Sequence, residues 1–458
     1  MRPSIRRSMA AATVAAAVMT TLAVAPGSAS AGPGPEATGR VKVEIPGHEH
    51  AASGEHGHHE AGSGYTWVPS AKGGPGARAS APLSAAETRV DGDVTQVIGN
   101  GPTADRLDVV IVGDGYTASD QAQFHADAMQ KWAEVAAVEP YTTYQNLFNV
   151  WTVDAVSNDS GVSGDPGRDI VKDTALGSYF WCEDVERLLC VDERKVDSYV
   201  AKAPEADLVI VLANSTKYGG AGYNTPSKTL GYEGISTASA RNDRSGQVAI
   251  HETGHSLGKL ADEYFYSGYP GYEQYTGEEP DESNISTLSA DAMAARRTKW
   301  YRWLGETSPD GGTVGAYEGG GYYVAGLDRP TDASIMRVLG KPFSLPGREA
   351  MIAGFYRHAS LATPVTPTDR TLRQLDTARV AVPRLVGERQ PDIRWYLDGE
   401  PLAAQAGRTA VPVAALHLDS RGVRSHRLTV VVTDRTEAVR DPEIAATLKD
   451  RQSWTVRH

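Results

Sequence analysis

The stretch Val248-Ala-Ile-His251-Glu252-Thr-Gly-His255-Ser-Leu-Gly258-Lys-Leu-Ala-Asp262-Glu263-Tyr264 decides how this chain is read. Each residue of an α-helix advances about 100°, so His251 and His255 stand one turn apart on one face. Two imidazoles so placed can hold one zinc ion at about 2.0–2.1 Å. Glu252 sits beside them, outside the ligand set but able to reach a water on the metal. Ile250 and Leu257 are seven apart and face the other way, toward a core. The segment therefore predicts one buried face and one metal face.

A catalytic zinc needs a third protein ligand and one position left for water. On a straight helix a residue seven past His255 would lie on the same side but about 10 Å further along. Gly258 offers a way out: glycine accepts φ > 0, so the helix can end there and the chain turn back. The acids that return are Asp262 and Glu263. Asp262 is the expected ligand. Glu263 is the alternative ligand, or else a hydrogen-bond partner of a ligating histidine.

Outward from this segment, Leu107-Asp-Val-Val-Ile-Val112 reads as a buried strand closed by a turn at Gly113-Asp-Gly115. Phe124, Ala128 and Trp132 recur at helical spacing after it, with Thr117, Ser119 and Asp120 as candidate caps. Asp207-Leu-Val-Ile-Val-Leu212 is a second strand, followed by Tyr218-Gly-Gly-Ala-Gly-Tyr223, read as a flexible loop. Apolar strands alternating with a helix predict a mixed or parallel sheet covered by helices. Gly113-Asp-Gly115 lacks the spacing of a phosphate-binding loop. Past Ala362 the texture changes. Ile393–Leu397, Ala410–Val413 and His426–Thr433 read as short strands with a turn at Asp398-Gly-Glu400. They predict a small β-sandwich over 363–458, after a domain over 91–362 that holds the zinc-site helix.

The N-terminus reads as an address. Arg2, Arg6 and Arg7 precede the uncharged run Met9–Ala25, and Ala29-Ser-Ala31 follows. This is the secretory pattern, with 1–31 removed after Ala31 and the mature protein extracellular. Export lets Cys182 and Cys190, the two cysteines of the chain, pair with each other. Residues 32–90 are rich in Gly, Ala, Ser, Pro and Glu and hold His48, His50, His56, His58 and His59. They read as a disordered linker or pro-segment. The 458 residues carry 57 acids against 45 Lys and Arg, a net charge of -12, which argues against a nucleic-acid partner. No membrane contact is expected after signal cleavage, and a monomer is expected.

The His251-Glu-Thr-Gly-His-Ser-Leu-Gly-Lys-Leu-Ala-Asp-Glu-Tyr264 helix and turn resembles the metzincin zinc peptidases. Gly113-Asp-Gly-Tyr-Thr117, Tyr218-Gly-Gly-Ala-Gly222 and Arg348-Glu-Ala350 narrow the likeness to the secreted bacterial zinc peptidases named for an IgA-cleaving member, over about Asn100 to Ala362. The resemblance implies an α+β fold with a mixed sheet, an active-site helix and a methionine turn. Met336 in Ser334-Ile-Met336 fits that turn and would floor the site without binding metal. Two positions depart from the metzincin pattern. Ala261 stands where the third ligand is usually found, one before Asp262, and Val338 stands where some members place a tyrosine. The implied activity is peptide-bond hydrolysis with one zinc, Glu252 as general base, and a protein or peptide as substrate. A zinc amidase acting on cell-wall or small amides, and a non-catalytic exported module with a structural zinc, are the alternatives. Calcium suits a secreted peptidase, but no D-x-[DN]-x-[DN]-G loop is present and no calcium site is assigned.

Overall fold

The computed structural model describes residues 39–45, 65–71, 83–84, 90–268, 270–418 and 425–458. The expected signal peptide, its cleavage point and the five clustered histidines lie outside the described residues.

The architecture is α+β, built on one eight-stranded sheet. In chain order its strands are β1 (Arg40–Glu44), β2 (Tyr65–Pro69), β3 (Val94–Ile98), β4 (Leu107–Asp114), β5 (Phe148–Val153), β6 (Leu208–Ala213), β7 (Gly220–Tyr223) and β8 (Ile235–Ser239). Across the sheet the order is β2-β1-β7-β8-β6-β4-β5-β3. The four central strands β8, β6, β4 and β5 run parallel. The others are antiparallel to their neighbours. β4 and β6 are buried at every residue, as expected of parallel strands covered on both faces. Alternate residues serve the two faces. Val109, Ile111, Ile210 and Leu212 join the cluster under helices α1 (Gln121–Ala136), α3 (Ser245–Ser256) and α4 (Leu345–His358). Val110, Val112, Val209 and Val211 join the opposite cluster, with α2 (Glu193–Val200) and the Cys182–Cys190 loop. Those two cysteines are bonded to each other and buried.

Asp114, in the turn at the end of β4, is fully buried. Its carboxylate accepts from the Leu176 and Ser178 amides at 2.8 and 2.7 Å and from the Thr174 hydroxyl at 2.9 Å. That turn clamps a long loop against the sheet.

Two elements differ from the sequence reading. The 32–90 tract, expected to be disordered, contributes β1 and β2. Arg40-Val-Lys-Val-Glu-Ile45 alternates polar and apolar residues, and Val43, Ile45 and Val68 are buried in the core. The stretch Tyr218–Tyr223, expected as a flexible loop, forms β7 over Gly220–Tyr223, buried throughout. A Cβ on Gly220 would lie 2.5 Å from the Thr237 carbonyl and 2.8 Å from the Val248 side chain. The small residues let α3 lie directly on the strand backbone.

Beyond a hairpin of β9 (Tyr317–Gly320) and β10 (Tyr323–Arg329), the chain enters α4 and then two small antiparallel sheets. One contains β11 (Thr363–Pro364), β12 (Thr377–Ala381) and β15 (Ala410–Pro412). The other orders β14 (Glu400–Pro401), β13 (Asp392–Leu397), β16 (His426–Thr433) and β17 (Lys449–Val456). Both feed one cluster in which Trp395 and Trp454 stack 5.7 Å apart. The expected turn at Asp398-Gly399 is present, with both residues at positive φ. Glu349 joins this region to the rest: it accepts from the Trp303 indole and from the amides of Arg440 and Asp441, each at 2.6 Å.

Candidate metal centre

Helix α3 carries the metal face. Val248, Ala249, Ile250 and Leu257 are fully buried and fix its inner side. Its end departs from the sequence reading. The positive φ belongs to Lys259 (51°), not to Gly258. Gly258 is needed for space instead: a Cβ there would stand 2.6 Å from the Gly254 carbonyl and 2.8 Å from the Met351 sulfur. With the chain turned at 259, Leu260 places its carbonyl 2.6 Å from His255 Nδ1. His251 Nδ1 meets the Ile335 carbonyl at 2.9 Å.

Those two contacts settle the tautomers. A carbonyl only accepts, so each Nδ1 carries a proton and donates it. The Nε2 atoms are left to face one another at 3.2 Å. Asp262 Oδ1 lies 3.2 Å from His251 Nε2 and 3.4 Å from His255 Nε2, and it has no aligned hydrogen-bond donor. Glu44, at the end of β1, brings Oε1 to 2.9 Å from His251 Nε2 and Oε2 to 2.7 Å from His255 Nε2. Among the described residues this is the one group of such side chains able to hold an ion. Ligands 2.0–2.1 Å from a tetrahedral ion lie about 3.3 Å apart. The distances among the two Nε2 atoms and Asp262 Oδ1 (3.2, 3.2 and 3.4 Å) are close to that, and those to Glu44 are shorter. The donor set fits a zinc ion.

The electrostatics agree. Burial disfavours charged imidazole, but the carboxylates of Glu44 and Asp262 raise both histidines well above their ordinary pKa. Burial likewise opposes the Asp262 anion, yet His255 and His251 hold it well below the usual carboxylate range. The pocket is thus built to favour positive charge at its centre. Glu252 is different. Burial and the charge of Glu44 push it up to about 8, against the lowering effect of the histidines and Asn224. Its Oε2 accepts from Asn224 at 3.2 Å, while Oε1 is buried without a hydrogen-bond partner. The side chain lies over β7, where a Cβ on Gly222 would overlap Oε2.

Glu263 is turned away from the metal pocket. It accepts from Ser334 Oγ at 2.5 Å and Asn284 Nδ2 at 2.9 Å, and its amide donates to the Met336 carbonyl at 2.8 Å. It ties the 260–264 turn to the segment that carries Met336. Met336 packs beneath α3, where a Cβ on Gly254 would overlap its sulfur.

Three nearby residues were not anticipated from sequence. Tyr322 donates to Asp262 Oδ2 from the β9–β10 connection. Asn224 donates to both Glu252 and Glu44, each at 3.2 Å. Glu44 itself lay in the tract read as linker, although the alternation of residues 40–45 is the period-two signal of a strand. Tyr264 donates to Glu44 Oε1 at 3.0 Å. Burial and the charges of Asp262 and Glu44 raise Tyr264 and Tyr322 well above the ordinary tyrosine value, so both remain protonated donors.

Residues 95–312 match the family model described as IgA Peptidase M64. This region belongs to the M64 peptidase family. The M64 match includes His251, Glu252, His255, Asp262 and Glu263, while Glu44 precedes it and Met336 follows it. No curated relative matches the chain. A peptidase family implies a protein or peptide substrate, and the cleft beside the histidines has a volume of about 450 Å³. Its walls include Asn224, Tyr275, Tyr322 and Leu327.

Proposed function

We propose that the protein is a secreted zinc endopeptidase whose metal is held by His251, His255 and Asp262. The observation that carries this reading is the convergence of both Nε2 atoms and Asp262 Oδ1, with Glu252 Oε1 unpartnered beside them. Zinc in such a site lowers the pKa of a bound water toward 7 and polarises a carbonyl.

The protein's own groups supply the rest. The Ile335 and Leu260 carbonyls orient the two imidazoles, and Tyr322 orients Asp262. Glu252 Oε1 accepts the water's proton and returns it to the leaving amine. Tyr264 and Asn224 direct neutral donors toward the corner now filled by Glu44, where negative charge would develop on the attacked carbonyl. A metzincin-like frame is supported by Met336 under the helix. The two C-terminal sheets fit a β-sandwich, and the buried disulfide fits an exported protein.

One observation favours the structural-zinc alternative: Glu44 completes four protein donors. Glu252 speaks against it, because a purely structural site has no use for a buried, unpaired carboxylate oxygen. A zinc amidase would share the same centre. Incubating the Glu44→Ala chain, in which the corner that Glu44 fills is open, with casein and with a cell-wall peptide, before and after 1,10-phenanthroline, tests the proposal. Casein cleavage that phenanthroline abolishes and added zinc restores is expected. Cleavage that survives metal removal, or cleavage of the wall peptide alone, would overturn it.

A further inference from the structure

β1 enters the metal centre from outside the M64 region and fills two places at once. Its Glu44 carboxylate spans both histidines and takes Tyr264 and Asn224 as donors. Its backbone pairs antiparallel with β7, Glu44 opposite Gly222. β7 has β8 on its other side, so without β1 it would be the open edge of the sheet. An open edge beside a cleft is where an extended peptide adds as a further strand. β2 extends the cover, bringing Tyr65 to 6.1 Å from Tyr322 and beneath the Lys42 ammonium.

A catalytic zinc keeps one position open, whereas a structural zinc is closed by protein. This site combines a closed donor set with an unpaired buried carboxylate oxygen on Glu252. We propose that Glu44 is a built-in fourth ligand and β1 a resident occupant of the substrate edge, so that the chain as it stands is latent. The inference rests on the metal-site reading above. The ribbon that holds Glu44 has two strands, a size that is marginal alone. It meets β7 at a single registered pair and is anchored by Val43, Ile45 and Val68 and by the pairing of Arg40 with Glu183 at 3.1 Å. Withdrawal of the ribbon frees the fourth corner and the edge of β7 together. Asp262 differs in kind: it lies seven residues past His255 and is held by Tyr322, so it stays when β1 leaves.

The test uses acetohydroxamate, a metal-binding probe small enough to reach the centre with β1 in place. Its affinity is measured by calorimetry on the zinc-loaded full chain and on Glu44→Ala and Glu44→Gln, the latter preserving side-chain shape. A tethered ligand competes at an effective concentration of about millimolar or higher, so both variants should bind the probe at least ~10-fold more tightly than wild type. The cobalt-substituted wild type gives a second readout that needs no variant. Its visible spectrum should resist probe concentrations that shift the spectra of both variants. Equal affinities, or a wild-type spectrum that shifts as readily, would overturn latency while leaving the peptidase reading intact. A wild type that holds no zinc would overturn both.

Discussion

Asp262 and Glu263 are adjacent acids with opposite surroundings. Asp262 aims Oδ1 at two imidazoles, while Glu263 satisfies Ser334 and Asn284. Asp262→Ala should weaken zinc binding by more than ~100-fold, beyond the usual loss from removing a ligand's supporting partner. Glu263→Ala should retain much more zinc affinity but destabilise the fold by about 1–3 kcal/mol, since it strands buried donors. Competition with a fluorescent chelator and urea unfolding measure the two effects, and the reverse pattern would exchange the roles. His251, Glu252 and His255 were legible because helical spacing alone puts them together. The choice between Asp262 and Glu263 was not, since it depends on how the chain turns after Gly258. Glu44 was hidden by distance: it meets His251 across 207 positions of sequence, and no local pattern specifies such a contact.

Among the elements, β4 and β6 were legible as unbroken apolar runs because both of their faces are covered. β7 was not, because Gly-Ala-Gly-Tyr carries no apolar signal. Its glycines answer to α3 packed against them, a tertiary demand. Gly258 was singled out, but for backbone freedom where the fold requires space. This distinction is testable. Replacing glycine by alanine ordinarily favours regular helix by about 1 kcal/mol. At Gly258 the new Cβ would press on a backbone carbonyl and on Met351, and overpacking of that kind costs about 1–3 kcal/mol. Gly258→Ala should therefore lower stability in denaturant unfolding. A stabilised variant would return Gly258 to the ordinary helix-end role.

At the scale of the whole molecule, α4 links the sheet to the C-terminal region. At its last residue, His358 is clasped between Asp207 at 2.8 Å and Glu233 at 3.0 Å. Burial lowers the histidine, but the two carboxylates outweigh it and raise it to about 9. An unfolded histidine titrates near 6.5. The folded value is the higher one, so the stabilisation is complete below about pH 6.5 and is lost as pH rises through about 9. It amounts to roughly 3 kcal/mol. Wild type should exceed His358→Asn most at pH 6, with the gap closing by pH 9.5 in urea unfolding. A gap that widens with pH would contradict the assignment. The C-terminal strands were legible from their short apolar runs and the Asp398-Gly399 turn. Their attachment through Glu349 was not, because its carboxylate accepts from the Arg440 and Asp441 backbone amides, which lie 91 and 92 residues away in sequence and carry no pattern of their own.

The most direct test is hydrolysis of a quenched fluorescent peptide library by two zinc-loaded chains, Glu44→Ala and Glu44→Ala/Glu252→Gln. Both should hold about one zinc, and only the chain that retains Glu252 should cut. Equal cutting by the two, or none by either at full zinc content, would contradict a Glu252-dependent zinc peptidase.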